Sequence, residues 1–354
     1  MRLLLAGGGS VGHIAPAVAV ARACLRLDPS TETHMLCSRQ EEELAFLDAE
    51  RLPHTPLPRI RRSLSFPLDF LAAYRRAGTV FDAFRPDILF CTGGGMSVPV
   101  ALRARKRGIP YVLLDADARG GRANALLSRQ AAAVCHGFPT ERTVRGNHVY
   151  TGYPVRPQIT GGTKEEGLRL TGFDGKKPVL LVLGGSQGAE SLNNIVIGNL
   201  PELLPLCDVA HVTGRGKSSA AARPGYWSVP FATKELPHLY AAASMALSRA
   251  GAGGIGELAA NGIPAMLVPL RGVAGDHQSA NARAAADGGG FLLLHQETLA
   301  TALVPAVRTF LTDGVALERM KAAMRSSVSA RPDAAEEIAR LLLETGRAQR
   351  RGNV

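Results

Sequence analysis

The stretch LLLAGGGSVGHIAPAVAVARAC, residues 3–24, joins an apolar run to a glycine cluster and then to an amphipathic segment. The apolar run is typical of a buried strand, and the segment after the glycines has the periodicity of a helix. Glycines in such a turn let the backbone approach a ligand closely, and the helix start directs unpaired N–H groups towards it. The stretch therefore predicts a strand–turn–helix unit that binds a diphosphate, with tight strand–helix packing alone as the alternative.

A second stretch, VLLVLGGSQGAESLNN at residues 179–194, repeats this pattern. Strand-like and helix-like runs alternate along both halves of the chain, which predicts an α/β fold with two parallel sheets covered by helices. Open parallel sheets bind ligands at the carboxyl ends of their strands, so two facing domains would form a cleft lined by both turns. The predicted strands are Leu3–Ala6, Thr33–Cys37, Ile88–Cys91, Tyr111–Leu114, Ala132–His136, Val179–Leu183, Val209–Val212, Met245–Ser248 and Ala265–Val268.

Breaks in these patterns place the domain boundaries. The segment 151–167 is rich in proline and glycine and poor in apolar periodicity, so we expect the two domains to join there. We predict a first domain at 1–155, a second at 156–335, and a C-terminal helix with a basic tail at 336–354 that packs back on the first domain.

Composition indicates a globular protein with an anionic partner. Hydrophobic residues make up 46% of the 354 residues, and no apolar run reaches the roughly 18 residues of a membrane span. The N-terminus lacks a signal-peptide pattern, and the five cysteines lack zinc or iron–sulfur spacing, so we expect a cytoplasmic protein. The net charge is +11, and its excess is mainly arginine within residues 1–150, which suits a phosphorylated substrate, nucleic acid or anionic lipid. A solvated arginine-rich surface is the alternative.

Several polar residues stand where the predicted cleft would lie. His13 follows the last glycine of the first turn, a position that favours a general base over a buried core histidine. Glu257 follows a glycine-rich loop at a predicted helix start, where a carboxylate caps the helix or binds a diol such as ribose. Gln278 and Asn281 belong to a polar segment that faces the same cleft. The segment DAD at 115–117 could bind a divalent metal, but we predict no metal site there.

Taken in order, these motifs resemble those of the MurG family of glycosyltransferases. That family adds N-acetylglucosamine from UDP-N-acetylglucosamine to undecaprenyl-pyrophosphoryl-N-acetylmuramyl-pentapeptide in peptidoglycan synthesis. The resemblance implies a GT-B fold of two facing Rossmann-like domains, the first facing acceptor and membrane and the second binding the UDP-sugar. The matching segments are GGGSVGHIAPA at 7–17, GYPVR at 152–156, GGSQGA at 184–189, AGGIGE at 252–257 and DHQSANA at 276–282.

By this resemblance, His13 takes the proton from the C4 hydroxyl of the muramyl sugar in an inverting reaction. The resemblance implies no cofactor, although a divalent cation bound through the substrate pyrophosphate stays open. A weaker acceptor or supporting set comprises Gly93, Gly94, Asn124 and Asn281. The implied donor-binding residues are Ser10, Val11, Gly12, Asp117, Arg156, Ser186, Gln187, Ala232, Ala252, Gly253, Gly254, Ile255, Gly256, Glu257 and Gln278.

The chain also departs from the family pattern. Ser10 and Val11 replace a threonine and a glycine of the first turn, and LDAD at 114–117 replaces the family's H-E-Q-N. The segment GGG at 93–95 replaces G-G-Y. Three alternatives therefore stay open: a paralogue with another acceptor, a UDP-sugar 2-epimerase, and a non-catalytic protein that binds a UDP-sugar or lipid.

The lipid acceptor requires a surface that approaches a membrane, and residues 59–77 combine arginines with apolar side chains. We expect this segment to bind an anionic membrane on the inner face of the plasma membrane, and we expect no nucleic-acid partner. The alternative is an amphipathic helix whose apolar side belongs to the core. The predicted membrane patch comprises Arg59, Arg61, Arg62, Leu64, Phe66, Phe70, Tyr74, Arg75 and Arg76.

Overall fold

The computed structural model describes residues 1–61, 63, 65–139, 147–185, 188–270, 276–326 and 331–352. The chain divides into two compact units, each built on one parallel sheet. Unit 1 comprises Met1–Arg156 and Arg331–Val354, and unit 2 comprises Pro157–Ala330. The chain thus leaves unit 1 one residue later, and returns to it five residues earlier, than the domain limits expected from the sequence.

Unit 1 contains a seven-stranded parallel sheet in the order β3-β2-β1-β4-β5-β6-β7. Its inner strands are mainly apolar and buried, as is usual for a parallel sheet that helices cover on both faces. Its strands are β1 (Arg2–Ala6), β2 (Glu32–Cys37), β3 (His54–Pro56), β4 (Ile88–Cys91), β5 (Tyr111–Asp115), β6 (Ala133–His136) and β7 (His148–Tyr150). Its first five helices are α1 (Val11–Leu27), α2 (Glu41–Ala49), α3 (Phe66–Phe84), α4 (Ser97–Lys106) and α5 (Arg122–Ser128).

Unit 2 begins with a 3₁₀ helix and contains a six-stranded parallel sheet in the order β10-β9-β8-β11-β12-β13. Its strands are β8 (Val179–Leu183), β9 (Asp208–Val212), β10 (Tyr226–Val229), β11 (Met245–Ser248), β12 (Ala265–Leu267) and β13 (Phe291–Leu293). Its helices are α6 (Lys164–Thr171), α7 (Glu190–Leu203), α8 (Leu236–Ala242), α9 (Ala252–Ala260), α10 (His277–Asp287), α11 (Leu299–Thr312) and α12 (Gly314–Ser326).

The last helix, α13 (Ala334–Gly352), belongs to unit 1 and packs against α1. Ile338 and Leu342 are fully buried in the same apolar cluster as Ile14 of α1. Ion pairs of Arg26 with Glu336 at 3.1 Å and of Arg347 with Asp28 at 3.2 Å lie at the solvent-exposed margin of this contact. The C-terminal helix therefore completes the core of unit 1.

Strand order reverses at one point in each sheet, between β1 and β4 in unit 1 and between β8 and β11 in unit 2. At the carboxyl ends of these strand pairs, the residue that follows β4 and the residue that follows β11 each add one backbone hydrogen bond between the two strands. The Thr92 N–H donates to the Ala6 carbonyl at 2.9 Å, and the Arg249 N–H donates to the Leu183 carbonyl at 3.1 Å. Thr92 and Arg249 thus occupy corresponding positions, at the place where doubly wound sheets bind ligands.

The predicted α/β class with two Rossmann-like domains is confirmed, and all nine predicted strands form. Four further strands, β3, β7, β10 and β13, were not predicted, and they are the four edge strands of the two sheets. All five cysteines are buried free thiols, as expected of core residues.

Within the described part of the chain, no single helix has the length and apolarity to cross a membrane. Helices α11 and α12 meet that criterion only as a pair, with a bend of 91° between them.

Candidate active site

The first glycine turn joins β1 to α1, and at Gly7 and Gly8 it is packed too tightly for a side chain. A β-carbon on Gly7 would collide with the Thr92 hydroxyl, and one on Gly8 would lie 2.9 Å from the Ser38 nitrogen. The Thr92 hydroxyl donates to the His13 carbonyl at 2.6 Å, which ties the first turn of α1 to the end of β4. This close packing fixes where α1 begins.

A buried carboxylate, Glu43 of α2, holds the same turn from within. Glu43 Oε1 accepts a hydrogen bond from the Gly9 N–H at 2.6 Å, while Oε2 accepts from the Ser38 N–H and hydroxyl at 3.1 and 2.9 Å. Glu43 is 0% exposed, so its carboxylate contacts the turn and the end of β2 and does not contact solvent. The Gly9 N–H is therefore already occupied. The sequence analysis missed Glu43, because nothing in an acidic helix start identifies its distant partner.

His13 is the third residue of α1, and its side chain is half-buried. Within the described part of the chain, its imidazole makes no hydrogen bond. Ser10 is the N-cap residue and Val11 packs against the apolar core of unit 1. The Gly12 carbonyl accepts from the Tyr153 hydroxyl at 3.1 Å, which brings the GYPVR segment to this turn.

At the carboxyl end of β5, Asp115 is held by Asn124, whose side-chain amide donates to it at 2.9 Å and to the Leu114 carbonyl at 3.1 Å. Asp115 Oδ2 lies 4.0 Å from Nδ1 of His136, and Nε2 of His136 lies 2.8 Å from Nδ1 of His148. His136 ends β6 and His148 begins the edge strand β7. The sequence analysis identified neither histidine as a candidate site residue. Asn124 and Asp115 thus brace the strand end.

The other predicted residues of unit 1 lie near this edge. Gly93 and Gly94 follow β4 with positive φ, and a β-carbon on Gly93 would meet the Asn124 side chain. Asp117 is half-buried in the loop after β5. No group of three or more metal-binding side chains lies together among the residues described.

The second glycine turn joins β8 to α7 and packs against the loop after β9. A β-carbon on Gly188 would lie 2.6 Å from the Thr213 carbonyl oxygen. Asn193 of α7 is fully buried, and its amide donates to the carbonyls of Thr213 at 2.9 Å and Ser218 at 3.1 Å. These bonds fix the start of α7 relative to β9. The predicted residues Ser186 and Gln187 lie outside the described residues.

Behind Asn193 lies a buried histidine that the sequence analysis missed. His211 Nε2 lies 3.0 Å from Asn193 Oδ1, and His211 Nδ1 lies 3.1 Å from the Tyr226 hydroxyl. Burial lowers the pKa of His211 to about 4, so the ring is neutral at pH 7. A histidine inside the apolar strand β9 was the signal available in the sequence.

Glu257 lies within α9 rather than at its start, which corrects the sequence analysis. The helix begins at Ala252 after the N-cap Gly251, so the predicted donor loop 252–257 is helical. Burial of Ile255 and Leu258 on one face favours the helix despite its glycines. Glu257 is half-exposed, and its Oε2 accepts from the Tyr240 hydroxyl at 2.9 Å.

Helix α10 carries the two remaining predicted residues of this edge. Gln278 Oε1 accepts from the Leu270 N–H at 2.9 Å, and the buried Asn281 amide donates to the Ala250 carbonyl at 3.2 Å. Both side chains therefore hold loops that follow strands of the sheet. Ala232 is buried in the loop after β10.

Arg156 belongs to unit 1, where its guanidinium forms an ion pair with Glu50 at 2.7 Å and lies 4.8 Å from the centre of the Phe46 ring. Both charged side chains are largely buried. This guanidinium already has a carboxylate partner. The contact of Arg156 with the donor stays a prediction.

Helix α3 divides the predicted membrane patch between core and solvent. Its second half packs Ala77, Val80 and Phe81 into the core. Its first half exposes Phe66 at 47% and Leu68 at 73%, with Leu71 also exposed.

The patch arginines differ in their surroundings. Arg61 forms a bidentate ion pair with Asp69, whereas Arg75 and Arg76 are exposed. Arg62 and Leu64 lie outside the described residues. The core interpretation therefore holds for one half of this helix only.

Comparisons with known proteins match this architecture throughout. The model of the glycosyltransferase family 28 N-terminal domain matches residues 3–136, and that of the C-terminal domain matches residues 179–338. A UDP-N-acetylglucosamine–N-acetylmuramyl-(pentapeptide) pyrophosphoryl-undecaprenol N-acetylglucosamine transferase of Nocardioides sp. is 37% identical, over 98% of both chains. The protein of that name from Geobacillus kaustophilus is 34% identical, over 84% of this chain and 87% of its own.

Solved structures agree. MurG of Acinetobacter baumannii superposes with a TM-score of 0.73 at 26% identity, covering 97% of this chain and 99% of its own. The UDP-GlcNAc 2-epimerase of Neisseria meningitidis superposes with a TM-score of 0.71 at 15% identity, covering 97% of this chain and all of its own, and shares the fold alone. The matches confirm the predicted GT-B class.

The buried histidine predicts how stability depends on pH. An unfolded chain protonates His211 near pH 6.5, but the folded chain does not until about pH 4. This stabilisation is complete above pH 6.5 and is lost as the pH falls towards 4. Lowering the pH from 7 to 5 should therefore cost the native protein about 2 kcal/mol more than it costs His211→Gln, measured by urea unfolding. His295→Gln, at an exposed position, should behave as wild type. Equal losses in wild type and His211→Gln would contradict the assignment.

Proposed function

The chain belongs to glycosyltransferase family 28, and we propose that it transfers N-acetylglucosamine from UDP-N-acetylglucosamine to N-acetylmuramyl-(pentapeptide) pyrophosphoryl-undecaprenol. The observation that carries this proposal is the match, over 98% of the chain, to a transferase named for that reaction. The retained His13, Glu257 and Gln278 support an enzyme over a binding protein.

We assign the donor to unit 2. Helices α7 and α9 both begin at the carboxyl edge of its sheet, on either side of the strand-order reversal, so their N-terminal N–H groups suit a diphosphate. Glu257 projects from α9 one and a half turns after its start, where its carboxylate can accept hydrogen bonds from ribose hydroxyls. The Tyr240 hydroxyl orients that carboxylate.

We assign the base to His13 of unit 1. The C4 hydroxyl of the muramyl sugar attacks the anomeric carbon of N-acetylglucosamine, and the imidazole takes its proton. A new glycosidic C–O bond forms while the bond between the anomeric carbon and UDP breaks, so the anomeric configuration inverts. Helix N-termini meet the charge on the leaving UDP without a resident metal in this proposal, and a divalent cation would enter only with the donor's pyrophosphate.

We assign membrane contact to the first half of α3. Phe66, Leu68 and Leu71 expose apolar surface, while Arg75 and Arg76 supply positive charge beside it. Such a combination suits the interface of an anionic bilayer, where the lipid acceptor resides. The protein would act as a peripheral protein on the inner face of the plasma membrane.

Radiolabelled UDP-N-acetylglucosamine incubated with the lipid acceptor tests the function and the base together. Wild type should move label to the lipid and release UDP. His13→Ala should lower kcat about 10²- to 10⁴-fold, because a general base is lost, with UDP affinity unchanged. His54→Ala on the edge strand β3 controls for loss of a histidine from unit 1.

Three outcomes would overturn these assignments. Label released as free sugar without lipid would favour an epimerase, and no turnover despite UDP binding would favour a binding protein. Near-normal turnover by His13→Ala would leave His13 a packing residue.

The ribose assignment predicts a selective loss of nucleotide affinity. Glu257→Ala should weaken UDP binding by about 1.5–3 kcal/mol, the range for hydrogen bonds to a charged group. The same change should affect 2′,3′-dideoxy-UDP little, because that nucleotide lacks the hydroxyls. Calorimetry on both nucleotides measures this, with Glu202→Ala on the exposed face of α7 as control. Equal losses for both nucleotides would rule out a ribose contact.

The membrane assignment predicts that apolar exposure and salt both matter. Phe66→Ser with Leu68→Ser should weaken binding to anionic vesicles about tenfold, since buried apolar area is lost, and wild-type binding should fall as salt rises. Vesicle sedimentation measures both. Val315→Ser, which alters an apolar side chain 65% exposed in unit 2, is the matched control. Equal binding to neutral and anionic vesicles would refute the proposal.

A further inference from the structure

Arg249 is a buried positive charge in unit 2. The residue directly follows β11 in the chain and is 5% exposed. One guanidinium nitrogen, Nη1, donates to the Val268 carbonyl at 3.1 Å, and Nη2 donates to the Ser191 hydroxyl at 2.9 Å. Nε has no hydrogen-bond partner among the residues that the structure describes. No carboxylate of the described residues forms an ion pair with this guanidinium, which departs from the usual pairing of buried charges.

The fold itself does not require an arginine at this position. In unit 1 the corresponding residue is Thr92, whose N–H makes the same ladder bond and whose hydroxyl reaches the first turn of α1. Arg249 likewise reaches the first turn of α7 through Ser191. A neutral side chain therefore performs the structural task in one sheet, and a full positive charge performs it in the other.

The charge also lies among other positive ends. Arg249 contacts Ser191, the second residue of α7, and α9 begins three residues after it at Ala252. Helix N-termini carry partial positive charge, so a cation beside them is unfavourable. The acidic residue at the start of α7, Glu190, bonds to the Ser218 N–H and hydroxyl. The positive charge in this region is therefore not balanced by a carboxylate paired with Arg249 among the described residues.

We propose that the donor diphosphate is the counter-ion of Arg249, which acts through Ser191 in the first turn of α7 as a positioning residue. This inference rests on the proposed function and deepens it. Burial of the guanidinium removes most solvent screening, so its attraction for a dianion extends beyond direct contact. Arg156, the arginine expected for this task, is already paired with Glu50. The contribution of Arg249 to UDP affinity therefore depends on the phosphates of the nucleotide and not on its nucleoside.

Calorimetry with UDP and with uridine separates this role from a structural one. Arg249→Met should weaken UDP binding on the order of tenfold, the size of one charge interaction across about 12 Å at an effective dielectric of about 20. Uridine affinity should stay at the wild-type value. Arg249→Lys, which keeps the charge, should retain most UDP affinity. Arg223→Met removes one exposed arginine from the same unit and should change neither affinity.

Thermal unfolding without ligand provides the second readout. Removing an unpaired buried charge offsets the two lost hydrogen bonds, so the Tm of Arg249→Met should stay near or above that of wild type. Arg249→Gln repeats the test if the methionine variant does not fold. Equal weakening of UDP and uridine, unchanged UDP affinity, or unfolding of both uncharged variants would each overturn the proposal. Wild type that binds no UDP would refute the proposed function itself.

Discussion

Close packing of backbone at two glycine turns determines where both candidate half-sites lie. At Gly7 and at Gly188 a β-carbon would collide with the neighbouring strand end or loop. Each turn is therefore held against its sheet, and the helix that follows must begin at the sheet's carboxyl edge. His13 on α1 and the N–H groups of α7 take their positions from this constraint.

The two units use the same topology with opposite charge. In unit 1 the turn encloses the buried carboxylate of Glu43, which occupies the Gly9 N–H. In unit 2 the turn has the buried guanidinium of Arg249 beneath it, with no ion-pair partner among the residues described. A diphosphate is accordingly better matched to unit 2, whereas unit 1 presents the imidazole of His13. This difference supports the proposed assignment of the donor nucleotide to unit 2 and of the base to unit 1.

Much of the fold could be predicted because interior parallel strands are continuous apolar runs. The four missed strands are edge strands of only three or four residues. Two of them, His54–Pro56 and His148–Tyr150, are half-buried and carry polar side chains. Segment 252–257 was expected to be a loop because of its glycines, but burial of one helix face outweighed their low propensity. The membrane segment was predicted as one surface, and it divides because the second half of α3 packs Ala77, Val80 and Phe81 into the core.

The candidate residues separate along a similar line. Motifs next to glycine turns identified His13, Glu257 and Gln278 as candidates, because short sequence patterns specify local geometry. Glu43, His211 and Arg249 were missed because their partners are distant in sequence and only the folded sheets bring them together. All three are buried polar groups that support the turns, as Thr92 and Asn193 also do.

Hydrogen exchange with and without UDP tests the central claim most directly, namely that the nucleotide binds at the strand-order reversal of unit 2. UDP should slow amide exchange at the start of α7, near residues 188–193, and around 250–257 at the start of α9, with no change at residues 7–13. Protection confined to the first glycine turn, with unit 2 unaffected, would contradict the account.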